Sequence, residues 1–232
     1  MPGKQSDSQA KEDVEINIQN VMFIRHGESE AHIGKAATHI EEVGLTEAGK
    51  RKADEIADMF LSIPDLIISS PYLRAWETAY PTIQHFSSVT HVTWPEVREF
   101  TYLGSLRGQC LTKQERSGKV DEFWKRCDPE HRDVDGESFS QFVGRARKTL
   151  AQLREMNGFI VIFTHEQFIR VVQCLLLEWT EEDMEMKPEH MKQFRKMLLD
   201  YPLPYGYVDD ASWQQHLYQP EFVLSQAPLP VR

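Results

Sequence analysis

Two histidines, His26 and His165, each follow a run of apolar residues in this 232-residue sequence. An imidazole acts as a nucleophile when one ring nitrogen is unprotonated and the other is held by a hydrogen bond. Arg25, directly before the first histidine, would give that nucleophile an anionic group to attack. Gly27, directly after it, lets the backbone turn tightly or lets a ligand approach closely. The alternative for each histidine is a strand end that simply faces solvent.

A third basic group and one carboxyl group extend this set of candidate residues. Arg74 lies in the first turn of a predicted helix, where a cation is unfavourable unless an anion is nearby. Free backbone N–H groups and a guanidinium together suit a phosphate group. Glu99 is followed by Phe100 and Tyr102, whose apolar surroundings could raise the pKa of its carboxyl group and make it a general acid. A solvated loop carboxylate is the alternative for that residue.

Strands that alternate with helices must position these side chains. The pattern predicts strands at 18–24, 65–70, 89–94 and 159–165, and helices at 45–62, 71–86, 114–126, 137–156 and 166–179. Such alternation implies crossover connections, and it predicts an α/β fold: a three-layer α/β/α sandwich with a mostly parallel central sheet. Ligands of open parallel sheets bind beyond the carboxyl ends of the strands. Three predicted strand ends carry polar groups, in RHGES, SSPYLR and THE, so we expect them to meet.

Together these stretches resemble the motifs of the histidine phosphatase superfamily, in its phosphoglycerate-mutase-like group with the Arg-His-Gly signature. The similar stretches are RHGES at 25–29, LTEAGKRKA at 45–53, SSPYLRAWETA at 69–79, VREF at 97–100, GESFSQFVGRARKTL at 136–150 and VIFTHEQFIRVV at 161–172. The resemblance extends from Val21 to Glu178, and the motifs occur in the family's order.

The resemblance implies a two-step phosphoryl transfer that uses neither a metal nor another cofactor. His26 would become phosphohistidine, and Glu99 would donate a proton to the leaving oxygen. The implied catalytic residues are His26, Glu99 and His165, and the implied phosphate-binding residues are Arg25, Arg74, Ser29 and His32. His165 would hold the equatorial phosphate oxygens together with the two arginines.

Three positions depart from the pattern of that family. His32 stands where the family often has a phosphate-binding asparagine, and Glu166 stands where a glycine commonly follows the second histidine. An acidic residue at this place would repel phosphate unless it points away. Gly104 comes one residue later after Glu99 than is usual.

Several functions fit the resemblance. A phosphoglycerate-type mutase would need an enclosed pocket and a tyrosine- and proline-rich insertion, which the sequence after Glu99 lacks. Water is therefore the expected acceptor, which predicts a phosphatase, a phosphoric monoester hydrolase. A catalytically silent member that binds a phosphorylated ligand stays open because of the changes at Glu166 and His32. A transition metal held by His26, His32 and His165 is a further alternative, although no H-E-x-x-H pattern supports it.

Composition limits the partners and the compartment. The formal net charge is −10, from 26 basic and 36 acidic residues, which argues against binding nucleic acid or an anionic membrane. A small phosphorylated molecule is the expected substrate. No apolar run is long enough to span a membrane, and three widely spaced cysteines predict reduced thiols in the cytoplasm.

The sequence also suggests how the chain is divided. Residues 1–17 are polar and acidic and predict a flexible tail, and residues 18–232 predict a single domain. The segment 201–232 is rich in proline and tyrosine, with YGYV as its best strand candidate. It could shape the rim of the pocket or support a homodimer, and the sequence leaves both open.

Overall fold

A five-stranded sheet forms the centre of the computed structural model, which describes residues 20–179 and 185–209. The strands are β1 Val21–Arg25, β2 Leu66–Ser69, β3 Thr90–Thr93, β4 Ile160–Thr164 and β5 Val208–Asp209. Their order in the sheet is β3-β2-β4-β1-β5. The first four are parallel, and β5 pairs antiparallel with β1 at one edge.

Helices cover both faces of this sheet. They are α1 Glu47–Asp58, α2 Leu73–His85, α3 Lys113–Arg126, α4 Phe139–Arg154, α5 Glu166–Leu177 and α6 Pro188–Asp200. Alternate residues of β4 divide between two apolar clusters. Ile160 and Ile162 join side chains of α4, α5 and α6, whereas Val161 and Phe163 join side chains of α1 and α2. A strand with helices on both faces is buried throughout, which explains why β4 is uniformly apolar until its last residue. The predicted three-layer α/β/α sandwich is confirmed.

The predicted helices and strands are present, with shifted ends. Thr46 caps α1, and its side chain accepts a hydrogen bond from the backbone N–H of Gly49 at 3.0 Å. The helix expected from Pro71 instead begins at Leu73. Tyr72 keeps an extended backbone, and its N–H group donates to the Ser70 hydroxyl at 3.3 Å, so a side-chain turn replaces the first helical residues.

Parts of the sequence predictions concern residues that the structure does not describe. The predicted tail at 1–17 lies outside the described residues, as does most of the segment 201–232. Within the described part of that segment, the YGYV stretch leads into β5, which begins at Val208. Within 20–179 and 185–209, none of the helices combines the length and the hydropathy needed to cross a bilayer.

The loop after β1 lies directly against the first turn of α1. A Cβ atom on Gly49 would lie 2.1 Å from the carbonyl oxygen of Glu28, and one on Gly27 would lie 2.7 Å from the carbonyl oxygen of Gly49. Both distances are far below van der Waals contact with a backbone atom. The two glycines therefore let α1 approach the loop that carries His26.

We expect Gly49→Ala to lower the free energy of unfolding by about 1–3 kcal/mol, since the added methyl group forces the two backbones apart. Denaturant unfolding of both proteins measures this difference. Gly118→Ala in α3 is the matched control, because its Cβ would meet no heavy atom of the described residues within 4 Å. The free energy of unfolding of that variant should rise by about 0.5–1 kcal/mol, because alanine has less backbone entropy than glycine in the unfolded chain. An equal change in the free energy of unfolding of the two variants would contradict the close approach of α1 to the loop after β1.

Candidate active site

The carboxyl ends of β1, β2 and β4 bring three polar residues together. His26 follows β1, Ser70 follows β2 and His165 follows β4, which lies between the other two strands. The backbone N–H of His26 donates to the carbonyl of Thr164 at 3.0 Å, and that of Ser70 donates to the carbonyl of Phe163 at 2.9 Å. The ring centroids of the two histidines are 5.2 Å apart. The three predicted strand ends therefore meet at one edge of the sheet, as the sequence indicated.

Hydrogen bonds fix the tautomer of His26. Its Nδ1 lies 2.7 Å from the carbonyl oxygen of Gly27, which can only accept, so Nδ1 carries the proton. Its Nε2 accepts a hydrogen bond from Nε of Arg74 at 3.1 Å. Burial of the ring, together with the nearby Arg74 charge, holds the pKa of His26 well below its usual value. His26 is thus a neutral imidazole at pH 7, with a lone pair on Nε2.

Arg74 is held in place by several neighbours. Its Nη1 donates to the carbonyl of Ile40 at 2.7 Å, and its guanidinium lies 5.0 Å from the centre of the Tyr72 ring. One turn along α2, the Thr78 hydroxyl donates to the backbone carbonyl of Arg74 at 2.7 Å and accepts from the N–H of Gly27 at 3.0 Å. Thr78 therefore ties the loop after β1 to the helix that carries this arginine.

His165 is fully buried between the same elements. Its Nε2 lies 2.8 Å from the hydroxyl of Ser70, and its ring contacts that of Tyr72 edge to face at 5.2 Å. Its Nδ1 has no hydrogen-bond partner among the described residues. Burial, followed by the Arg74 charge, holds the pKa of His165 well below its usual value. A second neutral imidazole thus lies beside His26.

His32 stacks on His26, with the ring centroids 5.6 Å apart and the planes 23° from parallel. The backbone N–H of Ser29 donates to Nδ1 of His32 at 3.2 Å, so the ring proton is on Nε2. Burial, with the Arg25 charge next, lowers the pKa of His32 to about 4. His32 therefore offers one N–H donor, as an asparagine amide would. The Ser29 hydroxyl lies 2.8 Å from the same Nδ1, and it positions this ring.

Glu99 has the environment of a general acid. Burial raises the pKa of its carboxyl group to about 7, although the Arg74 charge and a 3.0 Å hydrogen bond from the N–H of Phe100 both oppose that rise. A carboxyl group with such a pKa is partly protonated at neutral pH and can both donate and accept a proton. The predicted effect of the apolar surroundings on this residue therefore agrees with the direction of the shift.

An ion pair outside the predicted residues holds the loop that carries Glu99. Nη2 of Arg145 lies 2.6 Å from Oε1 of Glu137, and Nη1 of Arg145 donates to the carbonyl of Arg98 at 3.0 Å. The same Glu137 oxygen accepts a hydrogen bond from the N–H of Thr101 at 3.3 Å. The backbone is thereby fixed on both sides of Glu99. Sequence reasoning treated both ion-pair residues only as parts of a helical motif.

Arg25 is paired with protein groups. Its Nη2 lies 2.9 Å from Oε2 of Glu166, and its Nη1 donates to the carbonyl of Leu203. The ring of Tyr205 lies 4.6 Å from its guanidinium and also 4.6 Å from the ring of His32. Residues 201–209 therefore form one wall of the site, which the motifs did not indicate. Glu166 does not point away from the site, because its carboxylate pairs with Arg25.

The described residues 20–179 and 185–209 contain no group of three or more His, Cys, Asp or Glu side chains arranged to hold a metal ion. Each of the three histidines of the site has at least one ring nitrogen paired with a protein group, and for His165 that group is the Ser70 hydroxyl at Nε2. Arg74 occupies Nε2 of His26, and Ser29 occupies Nδ1 of His32.

Comparison with known proteins agrees with this geometry. Residues 21–194 match the model of the histidine phosphatase superfamily, branch 1. The chain is 26% identical over 164 residues to phosphoglycerate mutase-like protein 4 of Arabidopsis thaliana. That alignment covers 67% of this chain and 70% of the Arabidopsis protein.

Two solved phosphatase structures share the fold. Mycobacterial glucosyl-3-phosphoglycerate phosphatase aligns with a TM-score of 0.60 at 20% identity, over 82% of this chain and 89% of that chain. Phosphoserine phosphatase of Entamoeba histolytica aligns with a TM-score of 0.59 at 24% identity, over 82% of this chain and 88% of that chain. At these identities the likeness establishes the architecture.

Proposed function

Because the chain belongs to the histidine phosphatase superfamily, we propose that it is a metal-independent phosphomonoesterase that acts through a phosphohistidine intermediate. The observation that carries the proposal is the state of His26: a neutral ring with a lone pair on Nε2, 3.1 Å from Nε of Arg74. A phosphate that binds this guanidinium takes over the Nε hydrogen bond from Nε2 of His26, and this frees the lone pair for attack.

The first step transfers the phosphoryl group to the enzyme. Nε2 of His26 attacks the phosphorus in line, the N–P bond forms, and the bond to the leaving oxygen breaks. Protonated Glu99 donates its proton to that oxygen. Arg74, His165 and His32 surround the attacked group and stabilise charge on its equatorial oxygens, and Arg25 adds a further cation.

The second step releases phosphate. Glu99, now a carboxylate, takes a proton from water, and the resulting nucleophile attacks the phosphorus. The N–P bond breaks, and its electron pair returns to Nε2 of His26. The proton on Glu99 is restored, so both residues regain their starting states and no oxidant, reductant or metal is required.

Water is the proposed acceptor in preference to a second substrate hydroxyl. The similar proteins include phosphatases and a mutase-like protein, so the comparison fits either reaction. The sequence after Glu99 lacks the insertion that would enclose a mutase pocket. The net charge of −10 favours a small phosphorylated substrate over nucleic acid or a membrane surface. The free thiols of Cys110, Cys127 and Cys174 support a reducing, cytoplasmic compartment.

We expect the protein to release phosphate from p-nitrophenyl phosphate at an unchanged rate in excess EDTA, because each proposed step uses only side chains. A continuous absorbance assay at 405 nm measures the rate, and elemental analysis of the purified protein is the control. Loss of activity in EDTA that is restored by one divalent metal would contradict the proposal. Measurable phosphate binding without release from any phosphorylated compound would favour a silent binding protein.

A further inference from the structure

A stripe of three polar residues runs along one face of helix α5. Its three members are spaced as i, i+4 and i+7 and so share one face of the helix: Glu166, Arg170 and Gln173. Each of them binds the 201–209 segment. Arg170 donates to the carbonyl of Tyr201, Glu166 accepts from the N–H of Leu203 at 2.8 Å, and Gln173 donates to Asp209 at 2.7 Å. The stripe therefore fixes the segment along the site.

Glu166 is the member of the stripe that also reaches the anion site. Its second carboxylate oxygen forms the 2.9 Å ion pair with Nη2 of Arg25, and the two side chains are only 17% and 9% exposed. Nη1 of Arg25 donates to the carbonyl of Leu203, and Nε has no hydrogen-bond partner among the described residues. Both outer nitrogens of this guanidinium are thus committed to protein acceptors.

A carboxylate in this position opposes a phosphate dianion in two ways. It pairs with Nη2 of Arg25, one of the two outer nitrogens with which an arginine binds phosphate oxygens. It also adds a negative charge at the N-terminus of α5, where the helix dipole would favour an anion. Because the pair is largely buried, solvent screens that charge only in part.

We infer that Glu166 is a positioning residue that orients Arg25 and limits the affinity of the site for dianionic phosphate, so that the product leaves readily. This inference rests on the proposed phosphatase function. Weaker binding of the dianion raises both KM and the dissociation constant of phosphate. It also speeds product release, which keeps kcat high where release is the slow step. A purely structural role makes the opposite prediction, because a loosened Arg25 would bind phosphate less well.

Glu166→Gln tests the inference, because it removes the charge while keeping the size and an acceptor for the N–H of Leu203. We expect inorganic phosphate, titrated by calorimetry at fixed ionic strength, to bind the variant about tenfold more tightly than the wild type. KM for p-nitrophenyl phosphate should fall, and kcat should not rise. Glu122→Gln is the matched control, since it removes a carboxylate from an exposed ion pair with Lys119 and should change neither quantity.

Glu166→Asp keeps the charge, and its phosphate affinity should stay near that of the wild type. Unchanged or weaker phosphate binding by folded Glu166→Gln would overturn the inference, as would equal tightening in Glu166→Asp. If Glu166→Gln does not fold, Glu166→Ala decides by the same titration, and failure of both to fold would also overturn it. A wild type that binds phosphate but hydrolyses no ester would refute the proposed function separately.

Discussion

His26→Ala is expected to lower kcat/KM by about 10⁴- to 10⁶-fold, the scale seen when a positioned nucleophile is removed. The physical reason is the orientation of this one ring. Gly27 holds its Nδ1 proton, and Arg74 lies at its Nε2 lone pair, so the ring is set for attack before substrate arrives. His165 follows a different strand and pairs its Nε2 with the Ser70 hydroxyl instead of a guanidinium that would hand the site over to phosphate, so it does not offer the same line of attack.

The covalent intermediate provides the direct measurement for His26. Wild-type protein mixed with labelled substrate and quenched in alkali should retain label as alkali-stable, acid-labile phosphohistidine, and His26→Ala should retain none. His85→Ala is the matched control, because that histidine is exposed in the last turn of α2. A His26→Ala protein with normal thermal unfolding and half the wild-type rate would contradict the assignment, as would label on another residue.

Glu99→Gln is expected to lower kcat/KM by about 10²- to 10⁴-fold for alkyl phosphates, the usual contribution of a positioned general acid. Glutamine keeps the shape of the side chain but cannot donate an acidic proton. p-Nitrophenolate leaves without protonation, so the loss for p-nitrophenyl phosphate should be much smaller. A parallel assay on the two substrates measures this difference. Equal losses on both would contradict the role of Glu99 as the proton donor.

The pH profile gives an independent reading of the same group. Burial raises the pKa of Glu99 to about 7, so the protonated form needed for the first step is present below that pH and is lost above it. Wild-type kcat/KM for an alkyl phosphate should therefore fall as pH rises through about 7, and this limb of the profile should disappear in Glu99→Gln. The Glu96→Gln variant on the same loop should retain the limb. The lowered pKa of His26 predicts no acid limb from that ring near neutral pH.

The centre of the site was predictable because it follows from local sequence and one rule of sheet geometry. Apolar runs that end in polar residues predicted β1, β2 and β4, and parallel pairing then requires their carboxyl ends to meet. This brings His26 and His165 together, although they are 139 positions apart in the sequence. Arg74 was found through the unfavourable position of a cation at a helix start.

The wall of the site was not predictable in the same way. Arg25 meets Leu203 across 178 positions, shortly before the two-residue strand β5. The YGYV stretch was a strand candidate, but so short a strand has no periodicity that would predict its pairing with β1. Glu137, which precedes α4, and Arg145, within α4, hold the Glu99 loop, and the sequence placed both only in a stretch that resembles a family motif. The polar stripe on α5 was the available signal, since a polar face on a largely apolar helix faces either solvent or another segment of the chain.

The pairing of β5 with β1 has a consequence for synthesis of the protein. Until residues 203–209 have left the ribosome, one edge of β1 is unpaired. Arg25 then also lacks the Leu203 carbonyl to which its Nη1 donates in the folded protein. A nascent chain can thus pair β1 to β4 while the candidate site still lacks the wall that residues 201–209 form. Among the described residues, the candidate site is therefore complete only after β5 has paired with β1.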